Sequence, residues 1–206
     1  MYTPTHFRIE DRSVLFDFIS KNNFGILVTI DHSTPIATHL PFLIEPDRGE
    51  RGTLIGHIAK ANTQWQSFSS QSEALVIFQG AHTYISPSWY QSQPSVPTWN
   101  YATIHAYGVP RIIDDAHATH NMLGGLVNKH EAAFEQPWEM KLPDDYYRQQ
   151  TNAIVVFEIE LMRLEGKFKM SQNRSAEDRS GVIAALEQSG DDNSIEVAHS
   201  IKQASR

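Results

Sequence analysis

Alternating apolar and polar positions predict that this chain is built mainly from β-strands. The clearest run is Ala153 to Leu164, where Phe157, Ile159 and Leu161 face away from Glu158 and Glu160. A period of two is the pattern of a strand with one buried face. The same reasoning predicts further strands over Phe24 to Ile30, Thr34 to Glu45, Thr53 to Ala59, Glu73 to Ser86 with an interruption at Gln79-Gly80, Trp99 to Ile113, and a shorter one from Gly166 to Met170.

Helical periodicity appears between these runs. Asp11 is placed as the N-cap of a helix within Glu10 to Asn23, and Asp114 or Asp115 as the cap of a helix through Val127. Ser175 with Asp178 fits a capping box that opens a helix over Gly181 to Gln188. Shorter or weaker helices are predicted after Asn62, over Asp144 to Gln150 and over Asp191 to Ala204.

About six antiparallel strands interleaved with short helices predict the α+β class, mainly antiparallel β. Such an arrangement suits a closed or partly opened barrel whose ends are plugged by helices, because a parallel sheet needs a helix after each strand. The length of 206 residues suits a single domain over residues 1–206, with a C-terminal helical region at 175–206.

Composition narrows the classes of protein. The chain has no cysteine, which excludes disulfides, thiolate metal sites and a cysteine nucleophile. Neither a signal peptide nor an apolar run long enough for a membrane span is visible, so we expect a cytoplasmic protein without membrane contact.

The formal net charge is −7, with no stripe of lysine and arginine. Direct DNA binding is therefore doubtful, because DNA affinity rests largely on neutralising phosphates.

Polar side chains crowd the strands between Leu54 and Gly108. They recur near strand ends and beside tryptophans, as expected of a sheet that holds a flat, polar, aromatic ligand such as a phosphorylated heteroaromatic cofactor. The alternative is that they decorate solvent-facing sides of the strands. The residues concerned are His57, Lys60, Asn62, Gln79, His82, Ser86, Trp99, Asn100 and His105.

Several of these runs resemble the PaiB family of FMN-binding negative transcriptional regulators. The similar segments are MYTPTHF, GHIAKAN-x-QW, VIFQG-x-H-x-YISPSWY, VPTWNY-x-x-IH-x-x-G and KMSQNRSAEDRSGVIAAL, which together extend from Met1 to about Leu186. Thr63 and Ala81 stand where the family pattern leads us to expect proline. Proline at these two positions is expected to stiffen loops. The two replacements therefore affect the expected ligand affinity more than the expected fold.

The resemblance implies a split β-barrel, shared with flavin reductases and pyridoxamine-phosphate oxidases, and FMN as the cofactor. It implies that Lys60, with His57 and Asn62, contacts the FMN phosphate, since the corresponding strand end does so in split-barrel flavoproteins. It also implies a homodimer, because such flavin sites lie between subunits, with the Gln172–Arg174 segment reaching across the interface. The implied cofactor-binding set is His39, His57, Lys60, Asn62, Gln79, Trp99, Asn100, Gln172 and Arg174.

Other chemistry has weaker support. His117 and His120 stand three apart on a predicted helix, but no HExxH motif accompanies them, and a polar helix surface explains them better than a metal. Haem has candidates in His39, His57, His82 and His105, because some split-barrel relatives bind it through histidine. No catalytic acid, base or nucleophile set is evident, so enzymatic activity stays open.

Three functional hypotheses follow. The first is a homodimeric FMN-binding module that senses a small-molecule ligand or regulates transcription. The second is an FMN-dependent oxidoreductase whose substrate binds near the loop from Pro87 to Pro97, and the third is a haem-binding protein on the same fold. If turnover occurs, the flavin carries the chemistry and the protein positions it.

Overall fold

A computed structural model describes residues 1–70 and 72–204 and contains seven strands. Apart from β1, which the sequence pattern does not predict, and β7, which joins two predicted strands, their bounds lie close to the predicted ones, because apolar alternation sets which residues face the core. The strands are β1 (Arg8–Ile9), β2 (Phe24–Asp31), β3 (Thr34–Glu45), β4 (Thr53–Ala59), β5 (Ala74–Ile85), β6 (Thr98–Ile112) and β7 (Ile154–Lys169).

The described residues also form five α-helices and three 3-10 helices. The predicted caps are confirmed: Asp115 accepts a hydrogen bond from the Ala118 N–H, and the Ser175 hydroxyl accepts one from the Asp178 N–H. The α-helices are α1 (Arg12–Lys21), α2 (Ala116–Glu131), α3 (Asp144–Asn152), α4 (Ala176–Gln188) and α5 (Asp192–Ala204), and the 3-10 helices are Thr5–Phe7, Thr63–Ser70 and Pro87–Trp89. Residues 205 and 206 of the predicted C-terminal helical region lie outside the described residues.

The strands form one sheet in the order β1-β7-β4-β3-β2-β5-β6, and a further pairing of β6 with β7 closes the order into a ring. The registered pairs β1–β7, β2–β3, β2–β5, β3–β4 and β4–β7 are antiparallel. The predicted antiparallel α+β architecture is therefore confirmed. A Cβ atom at Gly108 on β6 would lie 2.2 Å from the Glu160 carbonyl oxygen of β7, so only glycine allows this close approach.

Several details of the prediction are wrong. Strand β5 runs through Gln79-Gly80 without interruption, and Ala81 lies within this strand and not in a loop. Strand β7 continues through Gly166, where the glycine makes room for Leu15 instead of breaking the strand: a Cβ there would lie 2.4 Å from Leu15 Cδ2. Helix α4 begins at Ala176 and not at Gly181, because the Ser175 cap directly precedes it.

The residues group into two compact units. The terminal unit comprises Met1–Phe18, Gln79–Ile104 and the residues from Glu165 onward. Its core packs α4 and α5 against β5, β6 and the end of β7. The fully buried side chains of this core include Ile85, Met170, Val182, Leu186, Val197 and Ile201.

The central unit comprises Ile19–Phe78 and His105–Leu164. Its core includes a cluster of buried aromatic rings, in which Phe42 contacts Phe78 and Phe157, and Phe157 also contacts Phe68. A second cluster, formed by Ile55, Met122, Leu126 and Val156, packs α2 on the sheet.

Among the described helices, none combines the length and the apolarity that crossing a membrane requires.

Candidate functional site

The nine predicted site residues divide between the two units. The central unit carries His39, His57, Lys60 and Asn62, and the terminal unit carries Gln79, Trp99, Asn100, Gln172 and Arg174.

Lys60 directly follows β4 and lines a cavity of about 490 Å³ in the central unit. Its backbone N–H donates to the Ala153 carbonyl at 2.8 Å, which fixes the end of the strand, while its side chain is exposed. In the described part of the chain no carboxylate pairs with the Lys60 ammonium. The cavity is also lined by Trp65, Ile112, Ile113, Asp114, Asp115, Ala116, Thr119, Tyr147, Arg148, Thr151, Asn152, Ile154, Val155 and Val156.

The cavity combines aromatic, apolar and cationic groups with two carboxylates, Asp114 and Asp115. Trp65 donates from its indole to the Lys60 carbonyl at 3.0 Å, and the Tyr147 hydroxyl lies 3.0 Å from His120 Nδ1. Arg148 supplies a second cation, paired with Asp145 at 2.9 Å. The volume of the cavity lies within the range of about 300–1,000 Å³ of small-molecule sites.

Asn62 shapes the turn after Lys60. Its amide donates to Thr38 Oγ1 at 2.9 Å, and its amide oxygen accepts the Gln64 N–H at 3.1 Å. Gln64 itself is buried, with only 1% of its surface exposed, and its amide donates to Leu27 O, Thr29 Oγ1 and Ile36 O. Asn62 therefore positions the turn, and its amide is engaged at both ends.

His57 faces the same side of the sheet as the cavity wall. It stands opposite Val156 across the β4–β7 pair, and directly opposite residues share a face. Burial lowers the pKa of His57, so the ring is neutral at pH 7. Its Nδ1 is buried without a hydrogen-bond partner. This nitrogen is enclosed by the protein, and His57 is not among the residues that line the cavity.

His39 lies on an exposed position of β3, opposite Ile26 of β2. Its ring stacks near Phe24, with the two ring centroids 6.4 Å apart. Nothing else in the central unit distinguishes His39 as a site residue.

In the terminal unit, Gln79 and Trp99 line an open cleft of about 380 Å³ together with His82, Tyr101 and Thr103. The Trp99 ring lies 6.4 Å from the His82 ring and 6.2 Å from the Tyr84 ring, centroid to centroid. Trp99 is 53% exposed, so its face is available for stacking. The predicted aromatic–amide patch is thus present as a cleft.

Asn100 and Gln172 organise the turn that follows β7. Asn100 is buried and its amide donates to Ser171 Oγ at 2.8 Å, whereas its Oδ1 has no hydrogen-bond partner. Ser171 has a φ of 60°, the left-handed region that few non-glycine residues adopt. Gln172 accepts the Met170 N–H at 2.7 Å and donates to the Phe168 carbonyl at 2.6 Å. Gln172 therefore stabilises the turn.

Arg174 lies at the end of this turn. Its guanidinium carbon sits 4.1 Å from the Tyr90 ring centroid, and Nη1 lies 3.4 Å from Ser95 Oγ. Lys167 and Lys169 were not predicted as site residues. Both lie near Arg174, and the positive charges of Lys167 and Arg174 contribute to lowering the pKa of Lys169. The alternation in Lys167-Phe168-Lys169 is the signal that could have placed both lysines on one strand face.

The described residues contain no group of three or more histidine, aspartate or glutamate side chains arranged to hold a metal ion. His117 and His120 lie on α2, and His120 is the partner of Tyr147 described above.

With this geometry in place, we compared the chain with known proteins. Residues 1–163 match the family model described as "Putative FMN-binding domain". The chain is 34% identical over 200 residues to "Protease synthase and sporulation protein PAI 2" of Bacillus subtilis, covering 96% of this chain and 95% of that protein. The chain belongs to the PaiB family. An uncharacterized protein of Emericella nidulans is 32% identical, covering 93% of this chain and 92% of that protein.

Solved structures of distant proteins share the fold. A protein from Mycobacterium smegmatis described as FAD- and heme-binding superposes with a TM-score of 0.63 at 13% identity, covering 84% of this chain and 78% of that one. A flavocytochrome from Azotobacter vinelandii superposes with a TM-score of 0.60 at 12% identity, covering 84% and 75%. The predicted split-barrel fold is confirmed for this member of the PaiB family.

FMN, the predicted cofactor, is the one for which the matched domain is named. The central unit offers groups that fit it: the Lys60 ammonium, which has no carboxylate partner in the described part of the chain, for a phosphate, and Trp65 and Tyr147 as aromatic walls. A cation without a carboxylate partner suits phosphate, because charge-assisted hydrogen bonds to phosphate are strong.

Proposed function

We propose that this PaiB family member binds FMN at the end of β4 and acts as a homodimeric, ligand-sensing regulatory module. The observation that carries the proposal is the exposed Lys60 ammonium, unpaired in the described part of the chain, at the mouth of a cavity with aromatic walls. In this arrangement Lys60 would hold the phosphate. His57 would contribute to the site from its position opposite Val156, which lines the cavity.

Bound FMN can accept and return electrons, so it supplies redox chemistry that no side chain provides. The chain's own contribution is to orient and shelter the ligand. The Asn62–Gln64 hydrogen bonds fix the turn that follows Lys60, and the Trp65 indole holds the Lys60 carbonyl. These contacts fix the backbone from which the Lys60 side chain extends.

The regulatory part of the proposal is supported by the relative in Bacillus subtilis, whose name connects it with protease synthase and sporulation. The homodimer follows from the split-barrel resemblance. Light scattering at micromolar protein concentration tests the dimer, and a monomer that still retains flavin would contradict it.

The visible absorbance spectrum of freshly purified protein tests the cofactor. We expect the bands of oxidised flavin, released as FMN on denaturation. A Soret band would favour the haem alternative, and a colourless protein that takes up no added FMN would refute the proposal. Adding NADH or NADPH without oxygen separates the two flavin hypotheses, since rapid bleaching would favour the oxidoreductase.

A further inference from the structure

A second cavity of the central unit has a volume of about 430 Å³. It is formed by the loop between β3 and β4 and by the paired strands β6 and β7. This volume lies within the range of about 300–1,000 Å³ of small-molecule sites. We call it the β6–β7 cavity. The described residues that line it are Glu50, Arg51, Val109, Arg111, Glu160, Leu161 and Met162.

The β6–β7 cavity is separate from the proposed cofactor contact. Glu160 stands opposite Thr53, the first residue of β4, whereas Lys60 follows Ala59, the last residue of that strand. At about 3.3 Å per residue, the two ends of β4 are about 20 Å apart. Among the described residues, none lines both this cavity and the Lys60 cavity. A ligand of the β6–β7 cavity therefore binds independently of the Lys60 ammonium.

Two opposite charges of the β6–β7 cavity have no protein partner. In the described part of the chain, nothing forms an ion pair or a side-chain hydrogen bond with the Arg111 guanidinium or the Glu160 carboxylate, and the two do not pair with each other. Glu158, two residues before Glu160 on the same face of β7, does have a partner in Arg48. The cavity thus offers one free cation and one free anion to a ligand.

The other two charges of the cavity pair with each other. The Arg51 guanidinium lies 3.3 Å from the Glu50 carboxylate. Together with Arg111 and Glu160, the cavity carries two positive and two negative groups. A neutral molecule with separated charges matches such a surface better than a simple anion or a simple cation.

The wall beside Glu160 is held by the loop between β3 and β4. The Leu161 N–H donates to the Gly52 carbonyl at 2.9 Å, which ties this loop to β7. The Glu160 side chain lies against the same loop, since a Cβ atom at Gly49 would lie 2.9 Å from Glu160 Cγ. The carboxylate is therefore placed before a ligand arrives, which reduces the ordering that binding requires.

Apolar side chains share the face of the sheet that carries the free charges. Met162 lies two residues after Glu160 on β7, and Val109 lies two residues before Arg111 on β6. Residues two apart on a strand point to the same face. Met162 is 58% exposed, so an apolar ligand group that covered it would remove apolar surface from water.

We propose that the β6–β7 cavity binds a free α-amino acid with an apolar side chain. The carboxylate of the amino acid binds Arg111, and its ammonium binds Glu160. Its side chain packs on Val109 and Met162. A guanidinium suits a carboxylate, because the two form paired, charge-assisted hydrogen bonds. Only the use of this amino acid as the sensed ligand rests on the proposed function, and its binding does not.

Calorimetric titration of the full-length protein with L-leucine tests the proposal. We expect saturable binding by the wild type, and a loss of about tenfold or more in affinity for Arg111→Met and Glu160→Gln, the scale of one charge-assisted hydrogen bond. Arg12→Met and Glu135→Gln are the matched controls, because both residues are exposed and neither lines the cavity. Equal affinity of the cavity variants and their controls would overturn the site.

Three analogues of leucine test the three contacts separately. Leucinamide lacks the carboxylate, 4-methylpentanoate lacks the ammonium, and glycine lacks the apolar side chain. Each should bind the wild type about tenfold or more weakly than leucine. Arg111→Met should bind leucinamide and leucine alike, since the carboxylate has lost its partner in this variant. Either charged-group analogue binding the wild type as tightly as leucine would overturn the recognition of a zwitterion.

Titration with FMN separates this proposal from the proposed function. Arg111→Met and Glu160→Gln should bind FMN like the wild type, and a tenfold loss in both would assign the cavity to the cofactor and overturn the amino-acid site. A wild-type protein without saturable leucine binding would also overturn it, whether or not FMN binds. A wild-type protein that binds leucine but not FMN would refute only the proposed function. Circular dichroism verifies that each variant is folded.

Discussion

The indole Nε1 of Trp65 donates a hydrogen bond to the backbone carbonyl of Lys60 across 3.0 Å. This contact joins the 3-10 helix Thr63–Ser70 to the end of β4, where the proposed phosphate contact lies. The Lys60 side chain that carries the ammonium therefore extends from an anchored strand end and not from a flexible loop. Sites carried by such anchored elements are better defined than sites on free loops.

Replacing Trp65 with phenylalanine removes this donor and keeps an aromatic wall. We expect the FMN dissociation constant to rise about three- to tenfold, in keeping with the net worth of one neutral hydrogen bond. Quenching of flavin fluorescence on binding measures it. Trp138→Phe is the control, because Trp138 is 49% exposed and does not line the cavity. Equal affinity of both variants would show that the indole contact does not position Lys60.

Gln64 tests whether the turn after Lys60 is held by buried hydrogen bonds. Its amide nitrogen donates to Leu27, Thr29 and Ile36 and its amide oxygen accepts from Thr38, so Gln64→Leu removes all four hydrogen bonds at a buried position. We expect the free energy of unfolding to fall by about 1–3 kcal/mol, measured by urea denaturation. Gln149→Leu, at an exposed position of α3, should change it little. A loss at Gln64 no larger than at Gln149 would refute this role.

The carboxyl group of Asp178 makes the stability of the folded protein depend on pH. The hydroxyl and N–H of Ser92, with the N–H of Gln91, hold the pKa of this carboxyl below its usual range. Because the folded-state pKa is the lower one, the stabilisation is present above the unfolded-state pKa of about 3.9. It is lost as the pH falls through the folded-state value.

The corresponding variant is Asp178→Asn. It should be less stable than the wild type at neutral pH, with a shallower loss of stability on acidification, measured as Tm between neutral pH and the acid transition. Asp47→Asn, at an exposed position, serves as the control and should retain the wild-type slope. An unchanged acid limb in Asp178→Asn would contradict the account.

The overall charge of the protein affects whether it could regulate transcription by binding DNA directly. The chain carries a net charge of −7, and residues 171–206 hold Arg174, Arg179, Lys202 and Arg206 against six acidic side chains. We therefore predict weak or no sequence-specific retardation of DNA by the isolated protein in a gel-shift assay. A tight, specific shift at physiological salt would show that the charge argument is wrong.

The strands could be predicted from the sequence because apolar alternation directly encodes which face is buried, and β4 was placed correctly from Thr53 to Ala59. The predicted strand boundary at Gly166 is wrong. A glycine within an apolar run can end a strand or make room for a neighbour, and only the contact with Leu15 decides between them.

The site could be predicted only in part. Lys60 and Trp65 are near in sequence, and their motif pointed to a ligand. Tyr147 and Arg148 come to the same cavity from a helix more than 80 residues away, which no local pattern reveals. Asn62 and Gln172 are predicted cofactor contacts. In the structure their amides bond the protein's own backbone and side chains, and composition and spacing do not distinguish this use from ligand binding.

The FMN dissociation constant of Lys60→Ala tests the central claim most directly. Removing the unpaired ammonium should weaken FMN binding by about 1–3 kcal/mol, or roughly five- to 150-fold, as expected for a charge-assisted hydrogen bond to phosphate. Lys141→Ala, the matched exposed lysine, should bind FMN like the wild type. If Lys60→Ala binds FMN as tightly as Lys141→Ala does, the phosphate is not held at the end of β4 and the proposed site is wrong.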